Sequence, residues 1–157
     1  MKILKENLDK NNIKNVEVVN KAVWINNDGV NISLEGSDGA SIYSKINQTK
    51  VPSIRIKDLF EREEKIDMLK IDIEGAEYNV LMDCQNLLSK VENIFIEYHS
   101  FVNSNQKLSE ILGVLEKNKF RYFIKPVNDR EAPFINRKNK FNPDIDLQLN
   151  IYGYRIS

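Results

Sequence analysis

Apolar positions along the chain change period from segment to segment, and each change predicts an element. Met1 to Asn12 reads as the end of a helix, with Leu4 and Leu8 one turn apart. Val16 to Trp24 alternates and then runs apolar, predicting a buried strand that closes in the turn Asn26-Asn27-Asp28-Gly29. Asp28-Gly29 is a hairpin signal, so Val30 to Leu34 is expected to be the returning strand. Glu35 to Lys50, polar with Gly36 and Gly39, reads as a loop able to cover a site. Val51 to Ile56 predicts a short strand, and Lys57 to Glu64 a charged helix with Leu59 and Phe60 facing inward. Further on, Asn93 to His99 is β-branched and aromatic, as a strand requires. Leu108, Ile111, Leu112 and Leu115 mark a helix over Ser104 to Asn118. Phe120 to Val127 is a strand stopped by Pro126, and Asn128 to Pro143 a long polar loop carrying Arg137, Lys138 and Lys140. Asp146 to Ile156 has period two and is the last strand, expected to pair antiparallel with the one before it.

The organising stretch is Ile66 to Leu81. Ile66, Met68, Leu69, Ile71 and Ile73 form a nearly continuous apolar run, which suits a strand covered on both faces of a parallel sheet. Asp72 and Glu74 fall where the strand stops, and Gly75 relaxes the backbone for a turn. Ala76, Val80, Leu81 and Cys84 then make the apolar stripe of a helix. These carboxylates reach the carboxyl end of a strand, where open α/β sheets bind ligands. Each acid also has a plain structural reading. Asp72 suits a helix cap, and Glu74 and Glu77 suit the positive end of the helix dipole. Lys70, inside the apolar run, fits an edge position or a pairing with an acid.

Composition narrows the classes. A chain of 157 residues with 41% hydrophobic content suits one domain spanning 1–157. The 23 basic and 23 acidic residues balance, so no bulk field attracts nucleic acid or a membrane surface. One cysteine excludes an internal disulfide and fits a reducing compartment. No signal peptide and no bilayer-length apolar run stands in the sequence, so the expected location is cytoplasmic.

The chemistry gathers at two strand ends: Asp72 and Glu74 on one, Glu97 and His99 on the next. His99 is the chain's only histidine, with an intrinsic pKa suited to proton transfer. Glu97 can orient its ring or bind substrate. Alternatively, Asp72, Glu74 and Glu97 can hold a divalent cation such as magnesium, although the spacing does not single out a metal.

Met68-Leu69-Lys70-Ile71-Asp72-Ile73-Glu74-Gly75-Ala76-Glu77, followed by Val80-Leu81, resembles the signature of FkbM-type methyltransferases. Val51 to Phe60 upstream and Ile94 to His99 downstream, with its Glu-x-His ending, are similar too, and the likeness runs from about Leu4 to Tyr154. It implies a Rossmann-like class I methyltransferase sheet ending in an antiparallel strand pair. It also implies methyl transfer from S-adenosylmethionine to a hydroxyl of a small-molecule or saccharide acceptor. His99, Glu97, Asp72 and Glu74 would be catalytic, and Asn20, Lys21, Ala22 and Val23 would lie near the adenine. The fold normally opens with a strand, a glycine-rich turn and a second strand ending in an acid for the ribose. Set on that pattern, Met1 falls in the helix after them, so the chain reads as a truncated domain lacking the first two strands. Loss of the ribose carboxylate removes about 3–6 kcal/mol, so S-adenosylmethionine is expected to bind this chain weakly. The strands at Val16 to Trp24 and Ile66 to Ile73 would then pair directly or keep open edges that invite self-association. The competing reading is a non-catalytic remnant or an α/β binding module, sugar-binding in one version.

Overall fold

Pro52 divides the amino-terminal strands, and a single cross-strand insertion organises the rest. A computed structural model describes residues 2–33, 48–128, 130–137 and 144–156. It is a mixed α/β fold: α1 (Lys2–Lys10), β1 (Ala22–Trp24), β2 (Val30–Ser33), β3 (Gln48–Val51), β4 (Ser53–Arg55), α2 (Ile56–Phe60), β5 (Ile66–Ile71), α3 (Glu77–Cys84), a 3₁₀ segment (Gln85–Lys90), β6 (Val91–Phe101), α4 (Leu108–Lys117), β7 (Arg121–Pro126) and β8 (Ile145–Tyr154).

Four strands form the main sheet in the order β5-β6-β8-β7. β5 and β6 run parallel, with Leu69 beside Ile94 and Ile71 beside Ile96. β8 pairs antiparallel with β7, as expected, and also with β6, so it lies between them. Leu69, Ile71, Ile94, Ile96, Tyr98 and Ile151 point to one face, where Leu81 and Cys84 of α3 and Ile111 and Leu115 of α4 cover them. Burial of these side chains supplies the main stabilisation, about 1.5–3 kcal/mol each. Gly153 lets β8 come this close, since a Cβ there would sit 2.5 Å from Ile94 Cγ2. Arg155 ties the end of the chain down. Its guanidinium donates to the carbonyls of Val91, Asn118 and Leu88 at 2.6–2.7 Å and lies over Phe120. α1 and α4 each end in a left-handed residue, Asn12 and Lys119. In both, the next amide reaches back to the last turn, Ile13 to Leu8 and Phe120 to Leu115.

Several expectations need correction. β5 is not covered on both faces: among the described residues it is an edge strand that stops at Ile71, and Met68 is 57% exposed. The two-period alternation inside the apolar run was the truer signal. Val16 to Trp24 is not a buried strand. Only Ala22–Trp24 pairs, and Val16 and Val19 stay exposed because β4 offers just three residues to pair with. β2 does not return along β1; it pairs with β3, while β1 pairs parallel with β4. The Asn26–Gly29 turn is held to β4 instead, Gly29 N donating to Ser53 Oγ and Arg55 N to Asn27 Oδ1. The strand expected over Val51–Ile56 is split by Pro52, which has no N–H to give a ladder. Residues 35–47 of the expected loop, Leu34, and Lys138 and Lys140 lie outside the described residues, while Gln48–Lys50 are strand. β1 and β5 do not pair, and among the described residues no strand flanks the outer edge of β5. Among those residues no helix is long and apolar enough to cross a membrane.

Candidate active site

The parallel pairing of β5 and β6 sets the end of β5, Ile71, beside Ile96, and β6 runs on past it through Glu97 and His99 to Phe101. His99 and Glu97 alternate with Ile96 and Tyr98 on β6, so they occupy the sheet face away from α4. The antiparallel register sets Gln148 of β8 directly opposite His99. Between β5 and α3 the chain turns through Glu74 and Gly75, both at positive φ, 53° and 99°. Glu74 therefore sits in the turn and not in the helix. Ala76 occupies the cap position of α3, and no side chain caps that end. Asp72 is thus not a helix cap; it binds the Lys70 ammonium at 2.9 Å. Lys70 meets both of its expected descriptions, since it stands on an edge strand and pairs with an acid.

The turn folds over His99, which is only 5% exposed. Its Nδ1 lies 3.0 Å from Glu77 Oε1. That oxygen also accepts the amide hydrogens of Gly75 at 2.9 Å and Ile73 at 3.3 Å. The Nε2 side faces Glu74 at 3.7 Å, Glu97 at 3.8 Å and the Gln148 amide at 3.2 Å. Gln148 Nε2 also donates to Glu97 Oε1 at 2.7 Å. The ring is oriented by Glu77 on Nδ1, so of the two roles open to Glu97, orienting the ring or binding substrate, the first falls to another residue. Burial alone would lower the His99 pKa, but Glu77, Glu74 and Glu97 outweigh it and hold it above the usual value. Glu74 is raised in turn, first by burial and then by Asp72, Glu77 and Glu97, with His99 pulling the other way.

Asp72, Glu97 and His99 bring one possible ligand atom each within 4.8 Å of one another. The Lys70 ammonium already bonds Asp72 Oδ2, so an ion there would share the Asp72 carboxylate with it. Asn20, Lys21, Ala22 and Val23 do not join this cluster; they belong to or precede β1, in a separate two-stranded sheet. A small cleft adjoins the cluster, lined by Gly75, Tyr78, Tyr98, Ser100 and Lys107 as well as Glu77 and His99.

Two residues of the site escaped sequence reasoning. Glu77 looked structural because its place in the first helical turn has an ordinary explanation. Its signal was the offset from Gly75, which lets a first-turn carboxylate fold back on the turn. Gln148 had no local signal at all, since it arrives by register alone.

A mixed α/β sheet whose adjacent parallel strands bring together clustered acids and a buried imidazole defines an enzyme-like site. The family model described as the methyltransferase FkbM domain matches residues 4–156. The chain belongs to that family and is a methyltransferase in general class. No curated protein and no solved structure matches it.

Proposed function

We propose that this domain is an S-adenosylmethionine-dependent O-methyltransferase of Rossmann-like class I architecture, acting on a hydroxyl of a sugar or another hydroxylated metabolite. The observation that carries the reading is the buried His99, with Nε2 turned toward the mouth formed by Glu74, Glu97 and Gln148. When bound, S-adenosylmethionine supplies an electrophilic methyl on a cationic sulfonium leaving group. The chemistry of the site fits that charge, because Asp72, Glu74 and Glu97 crowd one mouth. Asn20, Lys21, Ala22 and Val23 are assigned to the adenine end from the family likeness. His99 Nε2 would take the proton of the acceptor hydroxyl as that hydroxyl becomes the nucleophile. Glu97 and Glu74 stabilise the imidazolium so formed. Beside the ring, the hydroxyl of Ser100 in the adjoining cleft is buried with no protein partner among the described residues and can bind a polar group.

The test is transfer of labelled methyl from S-adenosylmethionine to a panel of saccharides and other hydroxylated metabolites. His99→Gln is expected to lower the rate about 10²–10⁴-fold. Full activity in that variant would remove His99 from the role of base. The second reading, a binding module that self-associates through the sheet edge, is favoured by the outer edge of β5 and its exposed Met68. Met68→Lys would abolish a dimer formed that way and leave methyl transfer by a monomer untouched.

A further inference from the structure

We propose that Glu77 is the positioning residue of this site: its buried carboxylate holds the Nδ1–H of His99 and so fixes the tautomer that leaves Nε2 as the basic nitrogen. The proposal deepens the reading of His99 as the base and rests on it only for the catalytic consequence. The tautomer follows from hydrogen-bond chemistry on both sides of the ring. Glu77 Oε1 already accepts two backbone amides and so is an acceptor, and Nδ1, 3.0 Å from it, must carry the hydrogen. On the other side stands the Gln148 amide. Its nitrogen must point inward, because it donates to Glu97 Oε1 at 2.7 Å. The alternative flip would set the amide oxygen against a carboxylate oxygen. The same NH₂ group lies 3.2 Å from His99 Nε2, which must therefore accept. Two independent partners on opposite edges of the ring demand the same tautomer.

Glu77 is itself over-determined. It is 1% exposed, and the turn gives the oxygen that holds the ring two further donors, the amides of Gly75 and Ile73. Glu74 and Gly75 make that turn at positive φ. The signature Glu-Gly-Ala-Glu is thus one device: the turn binds the second glutamate, and that glutamate sets the histidine. The charged groups that bear on the ring are Glu77 from α3, Glu74 from the turn and Glu97 from its own strand; Gln148 from β8 is neutral.

His99 is the only histidine, so ring-¹⁵N histidine labelling reports this residue alone. The native chain, at a pH where the ring is neutral, is expected to show a protonated Nδ1 and an unprotonated Nε2. In Glu77→Gln, which keeps the shape and loses the charge, the ring should titrate about 1 pH unit or more lower. A native Nε2–H tautomer overturns the proposal without any variant, as does an unmoved titration in folded Glu77→Gln. None of these measurements needs turnover. An Nδ1–H tautomer in a chain that transfers no methyl would leave the positioning role standing and sink the methyltransferase reading.

Discussion

The four-stranded unit and the amino-terminal segment use similar residues to different effect. In the first, Ile94, Ile96, Ile111, Leu115 and Ile151 are each at most 1% exposed, because strands from three parts of the chain meet two helices. In the second, α1 buries none of its residues, and β1 to β4 form two separate two-stranded ladders. Two-stranded ladders are marginal by themselves. What holds this segment to the rest includes the bidentate pair of Arg55 with Asp83 of α3, at 2.9 and 2.5 Å. The contrast teaches that apolar residues stabilise only where a second layer exists to receive them. Val16 and Val19 are as apolar as Val80 and Val91, and they stay in water.

The largest expected effect tests that contrast directly. Ile96→Ala or Leu115→Ala should lower unfolding free energy by about 2–5 kcal/mol in denaturant titrations. Val16→Ala and Val19→Ala should stay within about 0.5 kcal/mol. Equal losses in both regions would mean that the amino-terminal segment has a core of its own.

A smaller effect ties stability to the site. In the unfolded chain His99 titrates near its ordinary value, about 6.5, and in the fold it titrates higher. The fold therefore binds the proton more tightly. This contribution is complete below about pH 6.5 and is lost as pH rises through the folded value. The stability gap between the native chain and His99→Gln should narrow from mildly acidic to alkaline pH. A gap that widens would mean that burial, not the carboxylates, dominates the ring.

The smallest effect concerns the strap. Arg55→Ala should speed amide exchange in β1 and β4 while leaving β6 and β8 as protected as before. Equal speeding in β6 would show the two regions to be one cooperative unit. Cys84 offers no handle for following such opening in the native state, since burial pushes its thiol up to about 12.

Much of the carboxy-terminal region was legible because its signals were local and redundant. The stripe Leu108, Ile111, Leu112, Leu115 gave α4, and the alternation of Leu147, Leu149 and Ile151 gave β8. The amino-terminal strands were misread because alternation states that a strand can form, not which partner it takes. Asp28-Gly29 promised a hairpin, yet Ser53 and Asn27 bind that turn to β4.

The same division runs through the site. By itself the sequence determined which chemical groups exist: one histidine, the acids of Asp-x-Glu-Gly-Ala-Glu, and the turn that a glycine permits. It also placed Asp72 and Glu74 just past the end of one strand and Glu97 and His99 on the next, although β6 runs on to Phe101. Only the tertiary structure decided which acid meets which edge of the imidazole. Glu77 won that place through the fold of one turn, and Gln148 through a register set 49 residues away from His99. Such pairings depend on distances across the sheet, and no local preference along the chain encodes them.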